Sequence, residues 1–223
     1  MRIDALRGGF SISGVIVTIL SSLAVIFFTL PIHEFAHGFV ASKLGDPTPR
    51  YQGRLTLNPF AHIDYLGALC ILLVGFGWAK PVQINARYFK NPKMGMALSA
   101  LAGPVSNLLV ALIALFICNL LDFLAVVSEL LVFVYLFFYL IAQINVYLAV
   151  FNLLPVPPLD GSRVLFVFLP QKYYFSVMRY ERYISIAVII LLFTDVLSRP
   201  LSALSGYIFY LENEITALPF SLF

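Results

Sequence analysis

Residues 14–37 read GVIVTILSSLAVIFFTLPIHEFAH. The stretch from Gly14 to Leu30 carries no charge, and an apolar run of this length is typical of a transmembrane helix. His33, Glu34 and His37 follow almost at once. Two histidines four residues apart lie one turn apart on the same face of a helix, where both imidazoles can reach one metal ion. Ionisable groups are costly in a membrane helix, so the pattern predicts a functional site here.

The glutamate of this His-Glu-x-x-His pattern indicates which chemistry the site performs. In zinc hydrolases that position is the general base, which takes a proton from water that the metal has made more acidic. The alternative is that the histidines only form hydrogen bonds between helices. A glutamate between them favours the first interpretation, with His33 and His37 as zinc ligands and Glu34 as base. Pro31 is expected to loosen the helix just before the motif.

Composition places the whole chain in the membrane. Hydrophobic residues make up 61% of its 223 residues and charged residues only 11%, whereas soluble proteins contain about 25% charged residues. This length suffices for one all-α polytopic bundle of four to six membrane segments. The lysines and arginines are scattered singly, which argues against a nucleic-acid site. Cys70 and Cys118 lie in apolar stretches without a Cys-x-x-Cys pattern and are expected to be packing residues.

The connection after the first helix holds two shorter features. Residues 50–57, RYQGRLTL, alternate in character around Gly53 and predict a short β-hairpin. The apolar run Tyr65–Trp78 has about 14 residues, which is marginal for a membrane crossing. His62, between the two features, is either a third zinc ligand or a residue that caps or hydrogen-bonds a turn beside Asp64. The second interpretation is favoured because a better ligand lies downstream.

That ligand follows a long uncharged run, in residues 152–161, NLLPVPPLDG. Three prolines in four positions cannot stay helical, so the backbone must unwind near the membrane surface and line a cavity within the protein. A catalytic zinc site has three protein ligands and one open position, and the two histidines supply only two. We therefore predict Asp160 as the third ligand, in preference to a helix cap. The Asn152 amide is a candidate donor to an oxyanion or to substrate backbone.

Three motifs together resemble the site-2 protease family of intramembrane zinc metalloproteases: His33-Glu34-x-x-His37, Gly103-Pro104-x-x-Asn107 and Asn152-x-x-Pro155-x-x-x-x-Asp160-Gly161. The resemblance extends from Leu20 to Leu165. It implies a single integral-membrane metalloprotease domain over residues 1–223, with one zinc ion bound by the two histidines and Asp160 and with Glu34 as base. Larger relatives carry a PDZ or CBS domain, for which this chain is expected to have no room.

The implied substrates are transmembrane segments of other proteins, which must be locally extended before they can be cut. A helical carbonyl is hydrogen-bonded and shielded, and in a bilayer the freed backbone groups need protein partners. The open edge of the predicted hairpin, with Arg54 and Leu55, is expected to take the substrate as an added strand. Asn107 and Asn152 are further candidates for binding substrate or an oxyanion.

Topology follows from the requirement that His37 and Asp160 reach one metal. Each lies near the C-terminal end of an apolar segment, so the two segments must run in the same direction with an odd number of crossings between them. Met94–Leu121 is a clear crossing, and if it is the one crossing between them, Tyr65–Trp78 must be a re-entrant or surface segment. Positive residues collect in the loops on the zinc side, which places the site on the cytosolic side of the cell membrane. Tyr183–Thr194 and Leu201–Leu211, separated by Pro200, fit one crossing or two broken ones.

Two function classes compete for these residues. The same His, Glu and Asp groups could form the relay of a polytopic metal-ion transporter, since intramembrane ionisable residues also mark ion pathways. A transporter is expected to place polar groups on both sides of the midplane, often in repeats, and here they gather at one end. This favours the enzyme, and the presence of Glu34 disfavours a protein that binds clients without cutting them. The expected partners are membrane-protein substrates, the bilayer and a possible second copy of the chain.

Overall fold

The computed structural model describes residues 12–74, 77–124, 128–169, 179–192 and 194–221. Among these residues three helical segments are long and apolar enough to cross a membrane, so the chain is a mostly helical membrane protein. The predicted total of four to six segments stays a prediction. The helices are α1 (Ile12–Ala24), α2 (Leu30–Lys43), α3 (Thr48–Tyr51), α4 (Tyr65–Val74), α5 (Pro92–Phe123), α6 (Glu129–Asn152), α7 (Asp160–Leu165), α8 (Glu181–Leu192) and α9 (Asp195–Ala217).

A widened π-helical turn, Val25–Thr29, joins α1 and α2 into one continuous segment. In this turn the Leu30 N–H bonds to the Val25 carbonyl, five residues back. Pro31 explains the widening because it has no N–H to donate and its ring crowds the carbonyl four residues before it. The loosening expected from Pro31 is therefore confirmed, and it lies within one turn of the first histidine.

The helices α1 and α6 run in the same direction. Ser21 Oγ donates to the Phe137 carbonyl (3.5 Å), and eight residues further along both helices Asn145 Nδ2 donates to Thr29 Oγ1 (3.2 Å). Both pairs therefore have the same offset, which two antiparallel helices could not give. The C-terminal ends of α2 and α6 consequently lie on the same side, as the sequence predicted.

The helix α5 packs against both of these segments, and its small residues allow a close approach. Its contacts with α2 descend along α5 as they ascend along α2, so the two helices are antiparallel. The apolar core lies between α5 and α6 and extends to α8, α9 and the loop before α7. Its buried members are Ala111, Ala114, Leu115, Ile141, Ala142, Val146, Val150, Phe151, Leu159, Val188 and Leu201.

The two cysteines and the C-terminal helices can be compared with their predictions. Cys118 is buried and Cys70 partly buried, and both are free thiols, in agreement with packing roles. The stretch Leu201–Leu211 lies inside one 23-residue helix, α9, which continues through Pro200. Pro200 therefore does not interrupt the helix, although it removes one intrahelical hydrogen bond.

The β-hairpin predicted at Arg50–Leu57 is wrong. Pro49 lies in the first turn of α3, where its fixed φ favours a helical start, and the helix ends just before Gly53. Gly53 has a φ of 67°, the left-handed conformation that commonly follows a helix end. The Arg54 N–H then bonds back to the Pro49 carbonyl (2.8 Å). Local bonds thus satisfy backbone groups that a hairpin would have paired across strands.

The helix α4 is too short to cross a bilayer, and the chain returns beside it. Its 10 residues span about 15 Å, against a hydrocarbon core of about 30 Å. A Cβ at Gly67 would collide with the backbone of Trp78, so the two ends of this apolar segment lie together. An isolated antiparallel bridge between Ile63 and Ala79 closes the base of this fold-back. Within the described residues, this bridge takes the place of any longer β-pairing.

Replacing Gly67 by Ala should destabilise the protein by about 1–3 kcal/mol, because the added methyl group cannot fit beside the Trp78 backbone. Gly206→Ala is the matched control, since Gly206 faces open space in α9 and alanine is the better helix former. Thermal unfolding in detergent should show a lower midpoint for the first variant and an unchanged or higher midpoint for the second. Equal midpoints would contradict the close packing of the fold-back.

Candidate metal centre

Three side chains from two distant parts of the chain converge beside the first eight residues of α2. His33 Nε2 lies 3.0 Å from His37 Nε2, and the Asp160 Oδ2 atom lies 3.4 Å and 3.3 Å from these two nitrogens. Both histidines are buried, and Asp160 is partly buried. These three residues form the group of potential metal ligands among the described residues.

The spacing of the three donor atoms fits a zinc ion. Ligands about 2.0–2.1 Å from a tetrahedral zinc lie about 3.3 Å from one another, close to the three distances observed. Two imidazoles and a carboxylate also match the donor set of catalytic zinc sites, which leave the fourth position open. The predicted ligands His33, His37 and Asp160 are therefore brought together in an arrangement that can hold the metal.

A glycine in α5 makes room for this cluster. A Cβ at Gly103 would collide with the imidazole rings of both His37 and His33. Any larger residue would occupy the space in which the two Nε2 atoms meet. Pro104, the next residue, lies inside the same helix and leaves the Ala100 carbonyl without its usual helical donor. The Gly103-Pro104 pair therefore allows α5 to pack closely against the two histidines.

The same helix orients both rings. His33 Nδ1–H donates to Asn107 Oδ1 (3.3 Å), and His37 Nδ1–H donates to the Ser99 carbonyl (2.7 Å). A proton fixed on Nδ1 leaves the Nε2 lone pair free for a metal, which is the usual arrangement around ligand histidines. Asn107 is almost fully buried. Its contact in the structure is with a ligand histidine, and its predicted part in substrate binding stays a prediction.

Asp160 reaches the histidines from the start of α7, directly after the proline-rich turn. Leu159 occupies the cap position and Asp160 is the first helical residue, so the capping alternative is not supported. Burial alone would raise the pKa of the Asp160 carboxyl, but the neighbouring histidines hold that pKa well below its usual range. Gly161 allows the turn to close tightly, since a Cβ there would collide with the Leu153 carbonyl. The aspartate is thus a carboxylate held beside the rings.

Glu34 lies next to this cluster and is itself held in place. Its side chain is buried, and its carboxylate is close enough to His37 to interact with it electrostatically. One carboxylate oxygen, Oε2, accepts a hydrogen bond from the Val82 backbone N–H (2.8 Å). The structure gives the other oxygen, Oε1, no comparable partner among the described residues. One oxygen is therefore available to exchange a proton at the site.

His62 does not join the metal group. Its ring is fully buried, and Nε2–H donates to the Thr56 carbonyl (2.8 Å), so it stabilises the loop that precedes it. The interpretation of His62 as a turn residue is therefore supported over its role as a ligand. Arg54, predicted to bind substrate, donates to the Ala61 carbonyl in the same loop.

The remaining predicted substrate-binding residues lie around the site without joining it. Asn152 Nδ2 donates to the Leu148 carbonyl within α6 (3.0 Å), and Leu55 packs against α2 beside Gly38. Their roles stay predictions. The contributions of Ser99 and Val82 could not be predicted from the sequence, because they come from a backbone carbonyl and a backbone N–H that almost every residue possesses.

Comparison with known proteins agrees with this geometry. A model of peptidase family M50 matches residues 122–194, the part that contains α6 and Asp160. "Putative zinc metalloprotease YwhC" of Bacillus subtilis is 42% identical over 175 residues, which cover 76% of this chain and 78% of that protein. "Putative zinc metalloprotease Rip2" of Mycolicibacterium smegmatis is 28% identical, covering 77% of this chain and 66% of that protein.

A third relative is archaeal. "Zinc metalloprotease MJ0392" of Methanocaldococcus jannaschii is 27% identical over 67% of this chain, and the match spans 34% of that longer protein. No solved structure matches the chain. The extensive similarity to the Bacillus protein, together with the family match and the His33, His37 and Asp160 cluster, establishes a zinc metalloprotease. The chain belongs to peptidase family M50, the site-2 protease family.

Proposed function

We propose that this zinc metalloprotease is an intramembrane endopeptidase, which hydrolyses a peptide bond in or near the transmembrane segment of other membrane proteins. The observation that carries the proposal is the position of the ligands. His33 and His37 belong to the apolar segment Gly14–Lys43, and Asp160 follows soon after the apolar helix α6. A protease whose ligands lie on membrane helices acts most directly on chains within the same membrane.

The residues of the site divide the chemistry between them. The two histidines and Asp160 would hold the zinc ion, which would act as a Lewis acid on a carbonyl oxygen and make water more acidic. Glu34 takes a proton from the attacking water and delivers it to the leaving amine. The hydrogen bond from the Val82 N–H engages one Glu34 oxygen and leaves the other to accept the proton. His33 and His37 keep their Nδ1 protons throughout, because these N–H groups donate hydrogen bonds to Asn107 Oδ1 and to the Ser99 carbonyl.

The alternative of a metal-ion transporter receives no support from these features. Its relay would need ionisable groups in succession across the membrane, whereas His33, His37, Asp160 and Glu34 gather at one end of the bundle. The family is one of peptidases, and a buried base beside the ligands is what peptide hydrolysis requires.

We also propose that the protein lies in the cell membrane, with the site on the cytosolic side. The loops on the zinc side carry exposed cations, and the positive-inside rule assigns such loops to the cytosolic face. Asp46 and Asp64, the acidic residues of the long connection from α2 to α5, are not among the exposed groups. The exposed cations on this side include Lys43, Arg50, Lys80, Arg87, Lys90, Lys93 and Arg163.

Glu34→Gln should abolish cleavage while zinc stays bound, because the change removes the proton acceptor and leaves all three ligands. We expect turnover to fall by about 10²–10⁴-fold. The measurement is cleavage of single-pass membrane substrates by purified protein in proteoliposomes, with zinc content determined on the same samples. Undiminished cleavage by this variant would show that another group is the base, and failure of the wild type on every membrane substrate would defeat the proposed function.

Asp160→Ala should weaken zinc binding by more than about 100-fold, because two imidazoles cannot complete the site. Even the loss of a residue that only hydrogen-bonds to a ligand typically lowers metal affinity about 10–100-fold. His62→Ala is the matched control and should keep full zinc occupancy, because its ring donates to a loop carbonyl. Metal analysis after dialysis against a weak chelator compares the two. Full occupancy in the first variant with loss in the second would mean that His62 is the third ligand.

Single cysteines at Lys90 and Ser128 should react with membrane-impermeant thiol reagents from opposite sides of the membrane. Lys90 lies just before α5 and Ser128 just before α6, so one crossing separates them. The background carries Ala at Cys70 and Cys118, and inverted vesicles provide the cytosolic face. We expect Lys90 to be labelled from the cytosolic side. Labelling of both from one side would contradict the assigned topology.

A further inference from the structure

The base Glu34 is contacted by an extended segment that comes from far away in the sequence. This segment, Ala79–Asn85, lies along α2, and the Val82 side chain packs beside Gly38, one turn beyond the base. The Val82 N–H donates to Glu34 across a separation of 48 residues. Glu34 is therefore held from outside its own helix, and the bond depends on where the segment is fixed.

One end of the segment is fixed by Asp46. This aspartate is fully buried just after α2, and each of its carboxylate oxygens accepts a backbone N–H. Oδ1 accepts from Thr48 (2.9 Å), and Oδ2 accepts from Asn85 (2.7 Å). A buried carboxylate that accepts two backbone donors is strongly held, because charge-assisted bonds are the strong ones and an unpaired partner would be costly. Asp46 thus ties the end of the segment to the end of α2.

The other end of the segment is fixed by backbone bonds. The Lys80 N–H donates to the His62 carbonyl (2.8 Å), and Ala79 forms the isolated bridge with Ile63. The donor to Glu34, Val82, lies between the two anchored ends. Gln83 adds a bond from Gln52 (2.9 Å), but this pair is exposed and its contribution is small.

We propose that Asp46 is a positioning residue for peptide hydrolysis, which orients the Glu34 carboxylate through the segment Ala79–Asn85 and the Val82 N–H. The inference rests on the role of Glu34 as base in the proposed function. A glutamate side chain has several rotamers, and only those that direct a free oxygen to the attacking water are productive. With Oε2 held by Val82, the rotation of the carboxylate is restricted. Asp46 touches neither the metal ligands nor the base, so it acts on the reaction only through this segment.

The experiment compares Asp46→Ala, which removes both acceptors, with Asp46→Asn, which keeps one acceptor oxygen. Asp64→Ala is the matched control, because Asp64 also accepts a backbone N–H in the same connection, that of Gly67 (2.9 Å), without contacting the segment. Four quantities are measured on each full-length protein in detergent: zinc content, hydrogen–deuterium exchange of residues 79–85, kcat and KM. Exchange is measured with and without a chelator. Kinetics use unfolded casein and a single-pass membrane substrate.

In Asp46→Ala we expect faster exchange in residues 79–85, retained zinc, and a kcat about tenfold lower, the effect of one lost orienting hydrogen bond. KM should change by less than about twofold, since substrate contacts are untouched. Asp46→Asn should lie between this variant and the wild type, and Asp64→Ala should match the wild type. Faster exchange with an unchanged kcat, or unchanged exchange, would overturn the inference. An equal loss in Asp64→Ala would overturn it as well.

The outcome also separates this inference from the proposed function. Cleavage of casein without cleavage of any membrane substrate would defeat the intramembrane function and leave the role of Asp46 testable by the casein kinetics. If the wild type cuts neither substrate, hydrogen–deuterium exchange alone tests the role of Asp46. The Val82 amide should then exchange faster in both Asp46→Ala and Glu34→Ala, and slow exchange in either variant would overturn the inference.

Discussion

The contact between Gly103 and the two histidine rings is the constraint on which the site depends. The rings occupy the space that a side chain at this position would fill, so α5 can lie against α2 only with glycine there. The same approach brings Asn107 and the Ser99 carbonyl within reach of the two Nδ1 atoms. The close packing of α5 on α2 therefore also orients the two histidine rings. A membrane bundle favours this solution, because small residues are what allow helices to approach when water supplies no driving force between them.

The third ligand requires a second constraint, which α6 provides. Parallel packing of α1 and α6, through the bonds of Ser21 and Asn145, brings the end of α6 to the level of the histidines in α2. The proline-rich turn then stops the helix and lets the chain fold back towards the histidines, where α7 starts with Asp160. The metal thus joins segments that are more than a hundred residues apart. Binding of the ion should accordingly stabilise the bundle as well as serve catalysis.

Side-chain patterns predict most of the metal site, whereas the hydrogen bond that holds Glu34 could not be predicted from the sequence. His33, His37 and Asp160 carry metal-binding groups at informative positions, and the parallel course of their segments followed from the need to share one ion. The predicted hairpin is wrong because the helical preference that Pro49 gives to α3 outweighs the alternation at residues 50–57. The Val82 amide leaves no trace in the sequence, since every residue except proline offers the same donor.

The ligands and the base are therefore supported by different parts of the molecule. Bonds from α5 orient the histidines, and α5 is a long helix embedded in the bundle. Bonds from the loop segment Ala79–Asn85 orient Glu34, and that segment is tied to the bundle by Asp46 and by the fold-back at His62. Loops open at lower cost than packed helices. Motion of this loop would therefore disturb the orientation of the Glu34 carboxylate without displacing the two histidine rings.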